Sequence, residues 1–246
     1  HDELDVTLYS LRKAVRLLLK GNPNIVGLLW LRDEEYVYRH ALFERLLSSR
    51  TTFSSREVAR SFSGYAYGQL KRMEAFDVAR MDEYESLTTA IRSSGPVSEV
   101  LEADADKLKH LARSWRMDLD VLIRFRKLHR EHFSGYMGEK RKAIVRQFQY
   151  DVKNAAHLIR LLRMGNEYLS TGTLRVYRDT DAHELMAIKR GEWSLDEVKG
   201  EATRLSEVAE HLESTTTLPR HPDVKRANYL LMDTTLAILF GETRCP

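Results

Sequence analysis

From Ala41 onward, apolar residues recur at three- and four-residue intervals over stretches too long for strands. That spacing puts them on one face of an α-helix, so most of the chain must pack as helices. Loops fall where helices cannot continue: the Ser-, Gly- and Pro-bearing residues 92–96, a break bracketed by Gly135 and Gly138, and residues 215–222. Ser54 and Glu57 form a capping box that opens one helix, and Gly64 and Gly68, one turn apart on it, leave a small face open to close approach. Residues 97–131 read as long, charged and helical, and 139–169 as a helical stretch bent near Tyr150 and Asp151. Further helices start at Asp181 and at Ser194, the latter with a second capping box closed by Glu197, and a last helix spans about 224–240. No internal repeat is present.

The first forty residues differ. Residues 4–9 alternate Leu, Asp, Val, Thr, Leu, Tyr, the period of a short strand. Ser10 caps a helix from about Leu11 to Lys20, and Gly21-Asn22-Pro23 stops it. A short apolar element follows at 25–31, and residues 174–178, between Gly172 and Asp179, read as a second small strand. Two short strands are not a stable sheet by themselves. The expected fold class is therefore mainly α (α+β), with the remnant of a small mixed sheet at the N-terminus followed by a helical region.

Net charge is only +3, so an anion site has to come from local clustering. The one cysteine, Cys245, excludes a disulfide framework or a cysteine metal site within one chain and fits a reducing cytoplasm. No apolar run reaches the length of a membrane span. The opening His-Asp-Glu-Leu-Asp is not a signal peptide, lacks an initiator Met, and reads as a cut, processed or incompletely observed start.

Local clustering is present. On a helical wheel Arg12, Lys13, Arg16 and Lys20 fall within about a quarter turn, with Leu11, Ala14, Val15, Leu17, Leu18 and Leu19 around the rest. Such a stripe is commonly a solvated face, but Asp5, Tyr9 and Ser10 directly upstream favour an anion site. Lys153, His157 and Arg160 stack at i, i+4 and i+7 on a later helix, and His157 can hydrogen-bond a phosphate there; a solvated helix with a structural histidine explains the pattern equally well. Arg56, Arg60, Tyr65, Tyr67, Gln69 and Lys71 interleave cations with rings, which suits a nucleic-acid face or amphipathic packing. Asp179-Thr-Asp181 is an Asp-x-Asp without a preceding Gly-Ser, and Asp181 stands where a helix needs its cap. His129 and His132 have ligand spacing without an evident third ligand. No P-loop, dinucleotide fingerprint or nucleophile elbow occurs.

Residues 5–13 (DVTLYSLRK), 20–24 (KGNPN), 64–70 (GYAYGQL), 153–165 (KNAAHLIRLLRMG), 181–185 (DAHEL) and 188–193 (IKRGEW) together resemble the predicted nucleotidyltransferases of the DNA polymerase β superfamily found in bacteria and their phages, in the subgroup associated with RNA-ligase repair operons. The resemblance implies that residues 1–75 are the C-terminal part of a nucleotidyltransferase core, its mixed sheet included, and that 76–246 are a helical domain. It implies transfer of a nucleoside monophosphate from an NTP, ATP foremost, to a hydroxyl of RNA or tRNA with two Mg²⁺. Asp5 matches the third metal-binding carboxylate. Lys13, with Arg12 and Arg16, would neutralise phosphate charge beside Tyr9 and Ser10, and Lys153, His157 and Arg160 would contact triphosphate or RNA. The Gly-Ser and Asp-x-Asp elements of the family are absent from these residues, which places them upstream of His1 or leaves this polypeptide unable to catalyse. The competing expectation is a helical module that grips nucleic acid or a protein without chemistry; a toxin–antitoxin or defence component modifying a protein or tRNA is a third.

Overall fold

The computed structural model describes residues 6–75, 78–130 and 139–241. Thirteen α-helices are described: α1 (Leu11–Leu19), α2 (Pro23–Val26), α3 (Ala41–Ser48), α4 (Arg56–Ala75), α5 (Val78–Arg92), α6 (Val97–Glu102), α7 (Ala105–Trp115), α8 (Leu119–Leu128), α9 (Glu139–Phe148), α10 (Val152–Thr171), α11 (Ala182–Lys189), α12 (Leu195–Thr215) and α13 (Val224–Phe240). Short 3₁₀ turns follow α2 and precede α3 and α4. No described helix is long and apolar enough to cross a membrane.

The expected mixed-sheet remnant is corrected: among the described residues there is no strand. Residues 6–10 lead into α1 without a ladder partner, and Val6 and Leu8 are 63% and 89% exposed. Their alternation is therefore not the mark of a half-buried face; the same period arises in a segment that stays extended in solvent. Residues 174–178 are likewise not a strand. Side chains fix them instead: the Val176 carbonyl accepts from Arg160, the Tyr177 ring lies 3.6 Å from the Arg32 guanidinium, and Arg178 enters an ion-pair network.

The chain divides into two compact units. The first combines residues up to Gln69 with those from Ala156 onward. Its core gathers Val15, Leu18, Leu29, Phe53, Phe62, Ile159 and Tyr168, all nearly inaccessible. α4 and α10 meet where Gly165 lets the Phe62 side chain and the Ala59 carbonyl come close. Long-range hydrogen bonds tie early residues to late ones. Arg56 donates to three carbonyls around the end of α12, those of Glu213, Thr216 and Leu218, each at 3.0 Å. The Arg56 N–H bonds the Pro219 carbonyl, and the Asp223 N–H bonds the Thr52 carbonyl. Arg56, read as a candidate nucleic-acid contact, is thus a cap on α12, where the last carbonyls have no partner within their own helix. Arg60 pairs with Glu213, and the Tyr65 hydroxyl accepts from Asn22. Added Cβ atoms at Gly64 and Gly68 would meet nothing, so no described group uses the small face they offer.

The Ser54–Glu57 box does not form as expected. α4 begins at Arg56, Ser54 bonds Arg50 and Tyr168, and Glu57 pairs with His221. The Ser194–Glu197 box does form, with both reciprocal hydrogen bonds.

Between α1, α3 and α13 lies an apolar concavity of about 340 Å³, walled by Leu11, Phe43, Leu46 and Ile238. Thr234 lines it, and its hydroxyl is buried without a hydrogen-bond partner. Thr234→Val keeps the shape and removes the orphaned hydroxyl. It should raise stability by about 1 kcal/mol in urea unfolding.

The second unit runs from Leu70 to Ala155. Its core is Ile91, Val100, Leu108, Leu111, Leu122 and Phe125, with Tyr84, Trp115 and Met117 packed against it. Tyr84 stacks on Phe125 at 5.2 Å and bonds His129 through its hydroxyl at 2.8 Å. His129 is therefore a packing residue, and burial makes its ring harder to protonate; His132 lies outside the described residues. The bend expected near Tyr150 is a full break. Gln149 takes a left-handed φ of 66°, and buried Asp151 restarts the helix by accepting from the N–H groups of Lys153 and Asn154.

Candidate functional site: a cationic face on the first helix

Ser10 accepts from the Lys13 N–H at 3.3 Å and caps α1 as the sequence indicates. Val15 and Leu18 are buried, which turns the opposite side of α1 to solvent. Arg12, Lys13, Arg16 and Lys20 are all exposed there. The Lys13 ammonium lies 4.8 Å from the centre of the Tyr9 ring, a cation–π distance that steadies both side chains. Among the described residues none of the four cations has a carboxylate or hydrogen-bond partner for its side chain.

Most other arginines of the first unit are paired, although Arg175, Arg220 and Arg226 are exposed without a side-chain partner among the described residues. Arg39 pairs with Asp33 at 2.7 Å and Glu44 at 2.6 Å, and Arg45 with Asp233 at 2.7 Å. Arg163 bonds Asp181, Glu184 and Glu201. Arg178 clasps Asp181 through two nitrogens at 2.8 and 2.7 Å and Glu167 through two at 2.6 and 2.8 Å. Against that background α1 is a run of like charges that repel one another until an anion arrives.

The Arg163–Asp181–Arg178–Glu167 network settles two sequence readings. Asp181 occupies the N-cap position of α11 without making the cap hydrogen bond. Nor is it placed for a metal, because its oxygens accept from Arg178 and Arg163. Burial alone would raise its carboxyl, and the two guanidiniums outweigh that and hold it below the usual carboxylate range. Asp179 is exposed. Nothing local in the sequence marks this network, since its partners stand 3 to 38 residues apart.

On α10, Lys153 is exposed in the first turn, while His157 and Arg160 are half-buried. Among the described residues the Arg160 guanidinium reaches the Val176 carbonyl, at 3.5 Å. Burial and the neighbouring Arg178 charge both weaken its hold on its proton, with Asp181 acting against them. No described hydrogen bond or ion pair joins Arg160 to the α1 cations. The structure thus gathers Tyr9, Ser10, Arg12, Lys13 and Arg16 on and around one helix and sets Arg160 beside residues 174–181. Asp5 lies outside the described residues.

Residues 1–86 match the RNA repair pathway DNA polymerase beta family, RlaP. The matched stretch contains α1 with its cationic face and the motifs at 5–13, 20–24 and 64–70; those at 153–165, 181–185 and 188–193 fall outside it. No curated protein and no solved structure matches the chain.

Proposed function

We propose, on the premise that residues 1–86 are those of an RNA-repair member of the DNA polymerase beta family, that this chain serves nucleotidyl transfer to RNA and that α1 holds the triphosphate of the NTP. The observation that carries the reading is the unpartnered row Arg12, Lys13, Arg16 and Lys20, in a unit whose other arginines are largely paired. Lys13 and Arg16 bind phosphate oxygens, Arg12 flanks them, and Tyr9 orients Lys13 through its ring. Ser10 acts indirectly, by fixing where the helix starts.

Mg²⁺ accompanies the triphosphate in the proposed reaction. Among the described residues no group of three or more His, Cys, Asp or Glu side chains is placed to hold a metal. The part these residues play is therefore neutralising and positioning phosphate. The acceptor is an RNA hydroxyl, and Arg160, half-buried beside residues 174–181, is a further candidate cation for its phosphates.

Replacing Arg12, Lys13 and Arg16 together by alanine should weaken ATP binding at low salt about tenfold or more, equivalent to roughly 1.4 kcal/mol, measured by calorimetric titration. Thermal stability should not fall, because no described ion pair is lost. Unchanged ATP affinity in this variant removes the reading.

A further inference from the structure

One segment of the second unit carries more net positive charge than the whole chain. Residues 105–130 hold eight Lys and Arg against three Asp, whereas the full chain has a net charge of +3. This excess sits on two helices joined by a three-residue turn. α7 ends at Trp115, Arg116-Met117-Asp118 makes the turn, and α8 starts at Leu119. Leu111 and Ala112 of α7 and Leu122 and Phe125 of α8 are buried in the same core, so the pair is a rigid platform.

Arg116 adopts a left-handed φ of 52° at the end of α7, a position that favours glycine. The chain keeps an arginine there despite the strain. With Lys109 and Arg113 it lines a concavity of about 470 Å³ floored by Ala112, Met117 and Leu119. Arg113 and Arg116 are exposed, and neither side chain has a carboxylate or hydrogen-bond partner among the described residues. Among the described residues Lys109 pairs with Asp106, at 3.2 Å, whose side chain is 93% exposed.

We propose that this concavity grips the sugar–phosphate backbone of an RNA without reading its bases. Three cations spread over two helical turns match successive phosphates better than a single small anion, and the apolar floor can take the flank of a sugar or base. Base readout is disfavoured because the start of α8, the part of such a pair that enters a groove, carries Asp118 and Asp120. The choice of RNA rests on the nucleotidyl-transfer reading above; the cationic grip itself does not.

The test uses the full chain and a short fluorescein-labelled RNA hairpin, with anisotropy followed from low to physiological salt. Arg113→Gln/Arg116→Asn should weaken binding about tenfold and reduce the slope of log affinity against log salt by about two. Its melting temperature and ATP affinity should match those of the unaltered protein; asparagine is chosen at 116 because it tolerates the left-handed backbone. Unchanged affinity and slope overturn the proposal, and so does tighter binding of a poly-glutamate peptide or of the corresponding DNA. Loss of ATP binding in the α1 variant has no bearing on this slope, so the two readings fail separately.

Discussion

Arg178→Ala should destabilise the protein by about 3–5 kcal/mol, read as a shift in the midpoint of urea unfolding. Arg178 has a side chain only 8% exposed and faces Asp181 at 11% and Glu167 at 35%. Removing the guanidinium leaves two carboxylates close together with Arg163 as the remaining cation on Asp181, so the loss comes mainly from uncompensated buried charge. Arg178→Lys should recover only part, since one ammonium cannot make the paired bonds to two carboxylates that the planar fork makes. The network also fixes an acid limit. Asp181 has a folded pKa held below its ordinary value of 3.8. Its contribution is present above that value and disappears as pH falls through the lower folded one. Unfolding monitored from pH 6 to pH 2 should steepen below about pH 4. Asp181→Asn should start less stable at pH 6 and show a shallower acid slope.

Gly21→Ala should cost about 2–4 kcal/mol, although it adds a single methyl. Gly21 ends α1 at φ +63°, and a Cβ there would come within 2.7 Å of the Val58 Cα, with the Val58 nitrogen at 3.1 Å and the Glu57 carbonyl at 3.2 Å. Those are backbone atoms of α4, so relief requires moving a helix start and not rotating a side chain. Gly200→Ala is the matched control. It lies inside α12 with nothing near its added Cβ, and should be neutral or stabilising by up to about 1 kcal/mol. Equal thermal shifts for both variants would show that the contact with α4 is not what Gly21 provides.

What could be read from the sequence was local. The span of α1, its Ser10 cap, its stop at Gly21 and the Ser194 box each depend on residues within a turn of one another, and all are found. Of the strand expected at 4–9, the described residues 6–9 form none, because alternation records only that side chains point to opposite sides, and a ladder needs a partner that the period does not specify. Among the candidate site residues, the wheel correctly turned Arg12, Lys13, Arg16 and Lys20 to solvent. It could not tell them from Arg56 or Arg163, which look alike in sequence and are occupied by carbonyls and carboxylates far along the chain. Whether a cation is free to bind substrate is a tertiary property.

The bonds from Thr52, Arg56 and Glu57 to residues 213–223 have a bearing on how this protein is made. On the ribosome residues 52–57 emerge about 160 residues before the segments that complete their hydrogen bonding, and must wait for them. A recombinant fragment limited to residues 1–86 would keep the family signature yet lack those partners, so it should remain soluble only with a chaperone, or aggregate.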